Sequence, residues 1–241
     1  MAVVVVQARM GSTRLPGKVL RPLGGRPVLS WVARAARASG TADPLVVATS
    51  LRDGDDAVAA WAAAEGLPCV RGDEADVLSR FLLALAGVPD DATVVRLTAD
   101  CPLLDPSVIA MAVSAFEAGD VDYLSTVTPR SLPTGLDVEV TTAGALRELD
   151  ALAEGYDRVH VTSLLYREPG RYRVAGLVFD PPADDLRVTL DTPDDAVLLD
   201  ALVAELGDRP PAWREIVGLL RARPDLAALN AHVEKKALAE G

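Results

Sequence analysis

The stretch from Val3 to Pro27 constrains the fold of this chain most strongly. It begins with four consecutive valines that end at Gln7, and an unbroken run of β-branched residues is typical of a strand buried on both faces, as in a parallel sheet. A loop that leaves the carboxyl end of such a strand lies where open α/β sheets bind their ligands. This loop is rich in glycine and contains five cations and no acid: Arg9, Arg14, Lys18, Arg21 and Arg26. Since backbone amides and cationic side chains together bind phosphates, the stretch predicts a binding site for a triphosphate.

The loop matches neither of the common phosphate-binding patterns. It has no GxxxxGK[ST] sequence and no GxGxxG sequence. The alternative is a surface loop whose cations are only solvated. A cationic loop stands out in a chain of net charge −11, which favours the binding interpretation. The same acidic balance argues against general binding to nucleic acid or to an anionic membrane.

Strands and helices alternate along the first half of the chain. Apolar patterns and helix-start signals predict strands at 44–49, 67–70 and 92–97 and helices at 27–39, 53–65, 74–86 and 105–118. This alternation is typical of right-handed βαβ crossovers. The fold class is therefore α/β, with a mostly parallel central sheet flanked by helices.

The pattern becomes mixed after Val121. Strands are predicted at 122–127, 137–141, 172–179 and 186–190, and helices at 143–152, 157–166, 192–206, 210–220 and 225–233. The sequence shows no low-complexity linker and no internal repeat. We therefore expect one domain over 1–241, in which 1–120 binds a nucleotide and 121–241 forms a mixed α+β half with an acceptor pocket and a possible dimer surface.

Two acidic residues each follow a predicted strand and precede a predicted helix. Asp100 lies just beyond the strand that ends at Leu97, and Asp191 lies between the strand RVTL and a Thr-Pro helix start. Carboxylates at these places suit a hard Mg²⁺ ion that bridges phosphates. The alternatives are an Asx turn at Asp100 and a favourable helix-dipole interaction at Asp191.

The sequence gives little sign of export or of membrane insertion. No apolar run reaches the ~20 residues that span a bilayer, and no signal-peptide pattern opens the chain. Cys69 and Cys101 make neither a disulfide framework nor a zinc motif. We expect a reduced, cytoplasmic protein.

Several ordered motifs carry a resemblance to a known family. They are QARMGSTRLPGKVL, RGDEADVLSRF, VVRLTADCPLLDP, LPTGLDVEV, HVT and RVTLDTPDD, which extend from Gln7 to Asp195. In this order they resemble the cytidylyltransferase family, which includes CMP-Kdo and CMP-acylneuraminate synthetases, and within it the spore-coat polysaccharide synthesis branch.

The resemblance implies a GT-A-like, Rossmann-related fold. It also implies transfer of CMP from CTP to a sugar acid or related sugar acceptor, with release of pyrophosphate. Magnesium as cofactor and a homodimer are implied in the same way.

The resemblance and the residues together assign roles in the nucleotide half. Arg14, Lys18 and Asp100 are the candidate catalytic residues, and Asp100 and Asp191 the candidate metal ligands. The candidate nucleotide-binding residues are Gln7, Ala8, Arg9, Gly11, Ser12, Arg14, Lys18 and Arg71. Turn chemistry is the alternative for Ser12, and an ion pair with Asp73, Glu74 or Asp76 is the alternative for Arg71. Arg80 is interpreted as a surface or structural cation.

The acceptor half offers three candidate substrate-binding residues. Asp137 and Glu139 alternate along one predicted strand, so they are expected on one face, where they bind acceptor hydroxyls or a second metal. The resemblance assigns acceptor contact to His160. The alternatives are a solvated strand face and a packed, satisfied histidine. The branch carries a glutamate beside this histidine, whereas this chain has Val159.

Two other functions are considered. A GT-A glycosyltransferase with a nucleotide-sugar donor usually carries Asp-x-Asp, but this chain has Ala99-Asp100-Cys101 at that place. The second alternative is a catalytically silent nucleotide-binding subunit, against which the presence of Arg14, Lys18, Asp100 and Asp191 speaks.

Overall fold

The computed structural model describes residues 1–168 and 170–234, and within them a sheet of seven strands forms the centre of the fold. The strand order is β5-β4-β1-β6-β8-β7-β9. These strands are β1 (Ala2–Gln7), β4 (Ala42–Ser50), β5 (Cys69–Gly72), β6 (Thr93–Thr98), β7 (Tyr123–Ser125), β8 (Glu139–Thr142) and β9 (Val174–Gly176). A separate two-stranded ribbon pairs β2 (Pro22–Leu23) with β3 (Arg26–Pro27) in antiparallel fashion.

The valine-rich strand β1 lies inside the sheet, as its sequence predicts. It pairs in parallel with β4 on one side and with β6 on the other. Along the sheet, only β8 runs antiparallel to its neighbours among the described strands. The prediction of a mostly parallel α/β sheet is confirmed.

Helices cover both faces of this sheet. Their bounds are α1 (Val28–Ala38), α2 (Asp56–Ala64), α3 (Val77–Ala84), α4 (Pro106–Ala118), α5 (Ala143–Asp150), α6 (Tyr156–His160), α7 (Ser163–Arg167), α8 (Pro193–Leu206), α9 (Trp213–Ala222) and α10 (Pro224–Ala227). Alternate residues of β1 point to opposite faces, so Val4 and Val6 pack in one apolar cluster and Val3 and Val5 in another. The two clusters are the two layers of the core.

Two helices near the predicted acidic positions begin as expected. Asp105 accepts a hydrogen bond from the backbone N–H of Ser107 at 2.7 Å and caps α4. Thr192 caps α8 through a capping box with Asp195. Such caps satisfy N–H groups that have no partner inside the helix.

The sequence interpretation fails where tertiary contacts override the local pattern. The predicted helix 157–166 is two short helices, α6 and α7, separated at Val161, whose φ is 54°. The buried Val161 packs in the second apolar cluster, and the Thr162 hydroxyl donates to Glu139. These contacts stabilise a conformation that a continuous helix does not allow.

The predicted strand 186–190 is an extended segment that does not form a regular series of hydrogen bonds with a neighbouring strand. It makes one isolated bridge, between Arg187 and Thr134. The N–H groups of Val188 and Leu190 donate to loop carbonyls, those of Thr134 at 2.7 Å and Asp100 at 2.8 Å. The segment is therefore held against two loops rather than against a strand.

Other predicted elements are shorter than expected. The strand predicted at 172–179 is limited to β9, the strand at 137–141 begins at Glu139, and the helix predicted at 225–233 is limited to α10. Beyond Ala227 the described residues 228–234 form turns and irregular structure, and the buried Asn230 donates to Asp195 Oδ1 at 2.8 Å.

We expect Gly135→Ala to destabilise the fold by about 3 kcal/mol. Gly135 has φ 108°, and an added Cβ would lie 2.5 Å from the backbone N of Thr189. Urea unfolding measures the effect. Gly218→Ala is the matched control, because Gly218 lies in α9 with open space around an added Cβ. It should raise the free energy of unfolding by about 0.5 kcal/mol. Equal effects of the two substitutions would contradict this account.

Candidate active site

A cleft of ≈ 270 Å³ opens at the carboxyl ends of β1 and β6. The chain runs outward from β1 to β4 and β5 and then returns to β6 on the other side of β1, so the strand order reverses between β1 and β6. Ligands of open α/β sheets bind at such a reversal. The predicted site residues that line the cleft are Gln7, Ala8, Arg9, Ser12, Arg14, Lys18, Asp100, His160 and Asp191.

Lys18 is the central cation of this cleft. Its Nζ donates to Asp100 Oδ2 at 2.6 Å and to Asp191 Oδ1 at 2.7 Å, and its side chain is only 11% exposed. Burial lowers the pKa of Lys18, but the two carboxylates raise it by more, so the net shift is upward and the ammonium stays protonated. Asp100 binds this side chain, and the Asx-turn alternative finds no support in its contacts.

Asp191 contacts three cations. Besides Lys18, Arg14 Nη2 lies 3.1 Å and Arg187 Nη2 2.6 Å from Asp191 Oδ2. Burial raises the pKa of this carboxyl, but Lys18 and Arg187 lower it by more, so the net shift is downward. Asp100 and Asp191, the two candidate metal ligands, thus lie close together in the cleft, with Lys18 between them.

A buried carboxylate behind the cleft fixes this arrangement. Asp195 is 0% exposed and accepts from Arg187 Nε at 2.9 Å and from Asn230 Nδ2 at 2.8 Å. Its Oδ2 also accepts from the backbone N–H groups of Asp191 and Thr192, each at 2.9 Å. Asp195 therefore orients both Arg187 and the backbone that carries Asp191.

The cationic loop is held in place by Asp55. Its Oδ1 accepts from the N–H of Met10 at 2.6 Å, and its Oδ2 accepts from the backbone and hydroxyl of Ser50. The carbonyl of Met10 in turn accepts from the N–H of Gly17 at 2.9 Å, where φ is 73°. This turn places Lys18 at the start of a short 3-10 helix that faces the cleft. Ser12 lines the cleft, as a nucleotide-binding residue would. Its hydroxyl also accepts a long hydrogen bond from the N–H of Leu15 at 3.4 Å, as turn chemistry would require.

A polar layer connects the first half of the chain to the second half. Arg96 lines the cleft, donates from Nε to Gln7 Oε1 at 3.0 Å and pairs with Glu139. Glu139 also accepts from the hydroxyls of Tyr123, at 2.9 Å, and Thr162. This layer orients the Gln7 amide at the end of β1.

His160 faces the cleft from the end of α6. Its ring stacks on Tyr156 at 4.1 Å between centroids, and its buried Nε2 has no hydrogen-bond partner among the described residues. Burial and the nearby Arg96 lower the pKa of His160, so the imidazole is neutral at neutral pH. Among the described residues, Nε2 is thus a buried polar atom without a partner, on a residue that lines the cleft.

Four predicted residues do not line the cleft. Arg71 pairs with Asp56 at 2.7 Å and donates to the carbonyls of Ser50 and Arg52, so even the expected ion-pair partners were wrong. Gly11 lies beside Glu74. Asp137 forms a bidentate pair with Arg130, and the buried Glu139 reaches the cleft only through Arg96. Their roles in binding stay predictions.

Sequence reasoning missed other residues of the site. Arg96, Arg187 and Asp195 received no role, and Arg80 was interpreted as structural although it lines the cleft. A usable signal existed for two of them. Arg96 interrupts the apolar strand VVRL, and Arg80 is the one cation in the apolar helix sequence VLSRFLLA.

The donor set at the cleft can be compared with the requirements of magnesium. Within residues 1–168 and 170–234 no group of three or more His, Cys, Asp or Glu residues converges. Mg²⁺ in phosphate-handling sites is commonly bound by one or two carboxylates, with substrate phosphates and water as its other ligands. Asp100 and Asp191 fit this requirement.

Comparison with known proteins decides the family. The family model described as cytidylyltransferase matches residues 3–196. The chain belongs to the cytidylyltransferase family. This family match covers β1, the cationic loop and both acids of the cleft.

Three relatives place this cytidylyltransferase more closely. The spore coat polysaccharide biosynthesis protein SpsF of Bacillus subtilis is 36% identical over 92% of this chain and 95% of its own. The 3-deoxy-manno-octulosonate cytidylyltransferase of Synechococcus elongatus is 36% identical over 51% of this chain and 50% of its own. The structure of a cytidylyltransferase from Leptospira borgpetersenii superposes with a TM-score of 0.88 and 26% identity, covering 94% of this chain and 96% of that one.

None of the described helices has the length and hydrophobicity that a bilayer span requires.

We expect Asp195→Ala to destabilise the cytidylyltransferase by about 3 kcal/mol, because it removes one of the two carboxylates that pair with the buried Arg187 and leaves Asn230 and two backbone N–H groups without their acceptor. Asp194→Ala is the matched control, since Asp194 is exposed and, within residues 1–168 and 170–234, pairs only with His232. It should change the free energy of unfolding by less than about 0.5 kcal/mol. Equal effects in urea unfolding would contradict the role given to Asp195.

The same carboxyls should make stability depend on acidic pH. Ion pairing lowers the pKa of Asp191 and of Asp195 below the ordinary 3.8 despite burial, which opposes the shift. The unfolded chain therefore binds more protons near pH 4, so this stability is present above about pH 4 and is lost as the pH falls through the lower folded pKa values. Urea unfolding at pH 7, 5, 4 and 3 should show this loss, and Asp195→Ala should show a shallower one. The same dependence of the free energy of unfolding on pH in Asp195→Ala and wild type would contradict the assignment of this effect to Asp195.

Proposed function

We propose that this cytidylyltransferase transfers CMP from CTP to a sugar acid or related sugar acceptor and releases pyrophosphate, for the synthesis of a surface polysaccharide or glycoconjugate. The observation that carries the proposal is the buried Lys18 between Asp100 and Asp191, at the strand-order reversal of a chain in this family. The names of the relatives support the acceptor class and the pathway.

The cationic loop is the proposed triphosphate site. Phosphoryl transfer depends on positioning and on neutralising charge rather than on covalent chemistry by the protein. Arg14 and Lys18 line the cleft and carry positive charge into it, Ser12 adds a hydroxyl, and Arg9 lies at its rim, 3.8 Å from Glu74. These groups stabilise the charge that develops on the departing pyrophosphate.

The reaction joins an acceptor oxygen to the α-phosphorus of CTP. The bond between the α-phosphorus and the oxygen that bridges to the β-phosphate breaks, and pyrophosphate leaves. The neutral His160 is the proposed contact for the acceptor hydroxyl, a role supported by its position in the cleft lining and by the lack of a partner for Nε2 among the described residues. Asp100 and Asp191 would hold Mg²⁺, which when bound would supply further positive charge to the triphosphate.

Three finer assignments are part of this proposal. Magnesium dependence is supported by the carboxylate pair. A reduced, cytoplasmic location is supported by the free Cys69 and Cys101. A homodimer is supported by the family resemblance, and light scattering of the purified protein would measure the mass.

The alternatives are less well supported. The silent-subunit alternative would predict CTP binding without turnover. The glycosyltransferase alternative would predict a preference for a nucleotide-sugar over every free nucleoside triphosphate. The family match favours neither.

Pyrophosphate release tests the activity. Wild-type protein is assayed with CTP, UTP, ATP and GTP against sugar acids, sugar phosphates and phosphonates. We expect release that depends on both CTP and an acceptor, and a fall of about 100-fold or more for Lys18→Ala and Asp100→Asn. Asp185→Asn, an exposed carboxylate paired with Arg221, is the control that retains activity. Full activity of the two cleft variants would refute the assigned roles.

Metal removal tests the cofactor assignment. EDTA should abolish CTP-dependent pyrophosphate release, and added Mg²⁺ should restore it, because the carboxylate pair offers hard oxygen ligands for this ion. Activity that persists after exhaustive chelation would rule out the magnesium assignment while leaving the transfer reaction itself in place.

A further inference from the structure

Two cations of the predicted triphosphate loop have partners outside the cleft. The described residues that line the cleft include Arg9, Arg14 and Lys18 of this loop but not Arg21 and Arg26. Arg21 directly follows the 3-10 helix that begins at Lys18, and Arg26 lies in β3 of the two-stranded ribbon. The ribbon therefore makes contacts that the proposed triphosphate site does not explain.

These two arginines pair with carboxylates of α8 and of the loop beyond it. Arg21 Nη2 donates to Asp200 Oδ2, near the middle of α8, at 2.9 Å. Asp208, just after α8 ends, accepts from Arg26 Nε at 2.8 Å and Nη2 at 2.6 Å, and also from Arg34 of α1. Exposed ion pairs are individually weak, so the position of the ribbon also depends on how it packs.

The turn of the ribbon packs directly on the same helix. Leu23 is 1% exposed, and its carbonyl accepts from the indole Nε1 of Trp31 at 2.9 Å. An added Cβ on the next residue, Gly24, would lie 2.5 Å from Cγ1 of Val203, which belongs to α8. Gly24 has φ 56°, a conformation that glycine adopts readily. The ribbon and α8 thus touch where no side chain separates them.

Helix α8 connects this contact to the acids of the cleft. Asp191 immediately precedes Thr192, which caps α8, and it accepts from Lys18 at 2.7 Å. Only two residues separate Lys18 from Arg21, and the N–H of Arg21 donates to the carbonyl of Lys18 at 3.2 Å. The same two chain segments therefore meet twice, inside the cleft and at the ribbon. Because the connection is so short, a shift of the ribbon along α8 would displace Lys18.

We propose that the β2–β3 ribbon, packed on α8 and the loop beyond it through Arg21, Gly24 and Arg26, positions Lys18 between the two carboxylates of the cleft for binding of the triphosphate. The three ribbon residues act through Lys18, so they are positioning residues for the transfer reaction. The inference rests on the proposed function, in which Lys18 binds the triphosphate. A small displacement of a group that binds the reacting part of a substrate can lower the rate strongly.

Two neighbouring glycines offer a matched test. Gly24→Ala places a methyl group against Val203, whereas Gly25→Ala places one where, apart from its chain neighbours, no described atom lies within 4 Å. Both residues have positive φ, 56° and 81°, so both substitutions strain the backbone, but only the first displaces the ribbon. Calorimetric titration with inorganic tripolyphosphate and Mg²⁺ measures the effect. We expect the affinity of Gly24→Ala to be about tenfold lower than that of Gly25→Ala.

A second substitution in α8 should reverse this loss. Val203→Ala removes the methyl group that the added Cβ at Gly24 would meet. The double variant Gly24→Ala/Val203→Ala should therefore bind tripolyphosphate within about twofold of Gly25→Ala, because the two sites are in contact and their effects are coupled. Val203→Ala alone should retain wild-type affinity, since it leaves a space and displaces nothing.

The rate of the proposed reaction gives a second readout. Pyrophosphate release at saturating CTP should fall about tenfold to a hundredfold in Gly24→Ala and recover in the double variant.

The ion pairs are tested separately. Asp208→Asn should lower the affinity for tripolyphosphate about threefold relative to Asp225→Asn. Asp225 is an exposed carboxylate that pairs with Arg223 away from the ribbon, so the two substitutions change the net charge equally. A long-range effect of charge would therefore be the same in both variants.

Thermal unfolding of the ligand-free proteins separates positioning from stability, and all titrations are made well below each melting temperature. A purely structural ribbon would lower the melting temperature of Gly24→Ala but leave its affinity equal to that of Gly25→Ala, and this result overturns the proposal. A loss that the double variant does not reverse also overturns it. If Gly24→Ala does not fold, equal affinities of Asp208→Asn and Asp225→Asn overturn the proposal instead. Wild-type protein that binds tripolyphosphate but releases no pyrophosphate with any acceptor would overturn the transfer reaction alone.

Discussion

The ammonium of Lys18 between two carboxylates is the interaction on which the site depends. Its partners Asp100 and Asp191 are 82 and 173 residues away in the sequence, so the contact joins the loop after β1, the end of β6 and the segment before α8. Each carboxylate would be costly to bury alone, and the shared cation offsets both. Behind them Asp195 fixes Arg187 and the backbone of Asp191, so the charges converge without a continuous strand at 186–190.

The sheet order explains how one cleft receives residues from both halves of the chain. On one side of β1 lie β4 and β5, while β8, from the second half of the chain, pairs with β6 on the other side. Because β8 runs antiparallel to β6, Glu139 lies opposite Arg96, and Arg96 in turn holds Gln7 at the end of β1. The pairing of one antiparallel strand thus connects Glu139, in the second half of the chain, to the end of β1, where the cationic loop begins.

Much of this arrangement could be predicted from local sequence. The valine run, the cationic loop and the caps at Asp105 and Thr192 depend on nearby residues, and the structure contains them. The choice of ion-pair partner depends on tertiary distance, which local sequence does not contain. Arg71 therefore turned to Asp56, and the helix expected at 157–166 broke at Val161, where burial and the Thr162 contact outweigh helix propensity. The pattern of an acid after a strand, together with the resemblance, predicted the acids of the cleft but not the groups that orient them.

The cations of the cleft divide by whether the protein already supplies a partner. Arg96, Arg187 and Lys18 are matched by carboxylates, and they keep the cleft in shape before a ligand arrives. Arg80 Nε, in contrast, is buried without a hydrogen-bond partner among the described residues. A fold that pairs its other buried cations but leaves one unpaired at the cleft gives up stability at that position. Such a loss is expected where binding requires a donor that the protein itself must not satisfy.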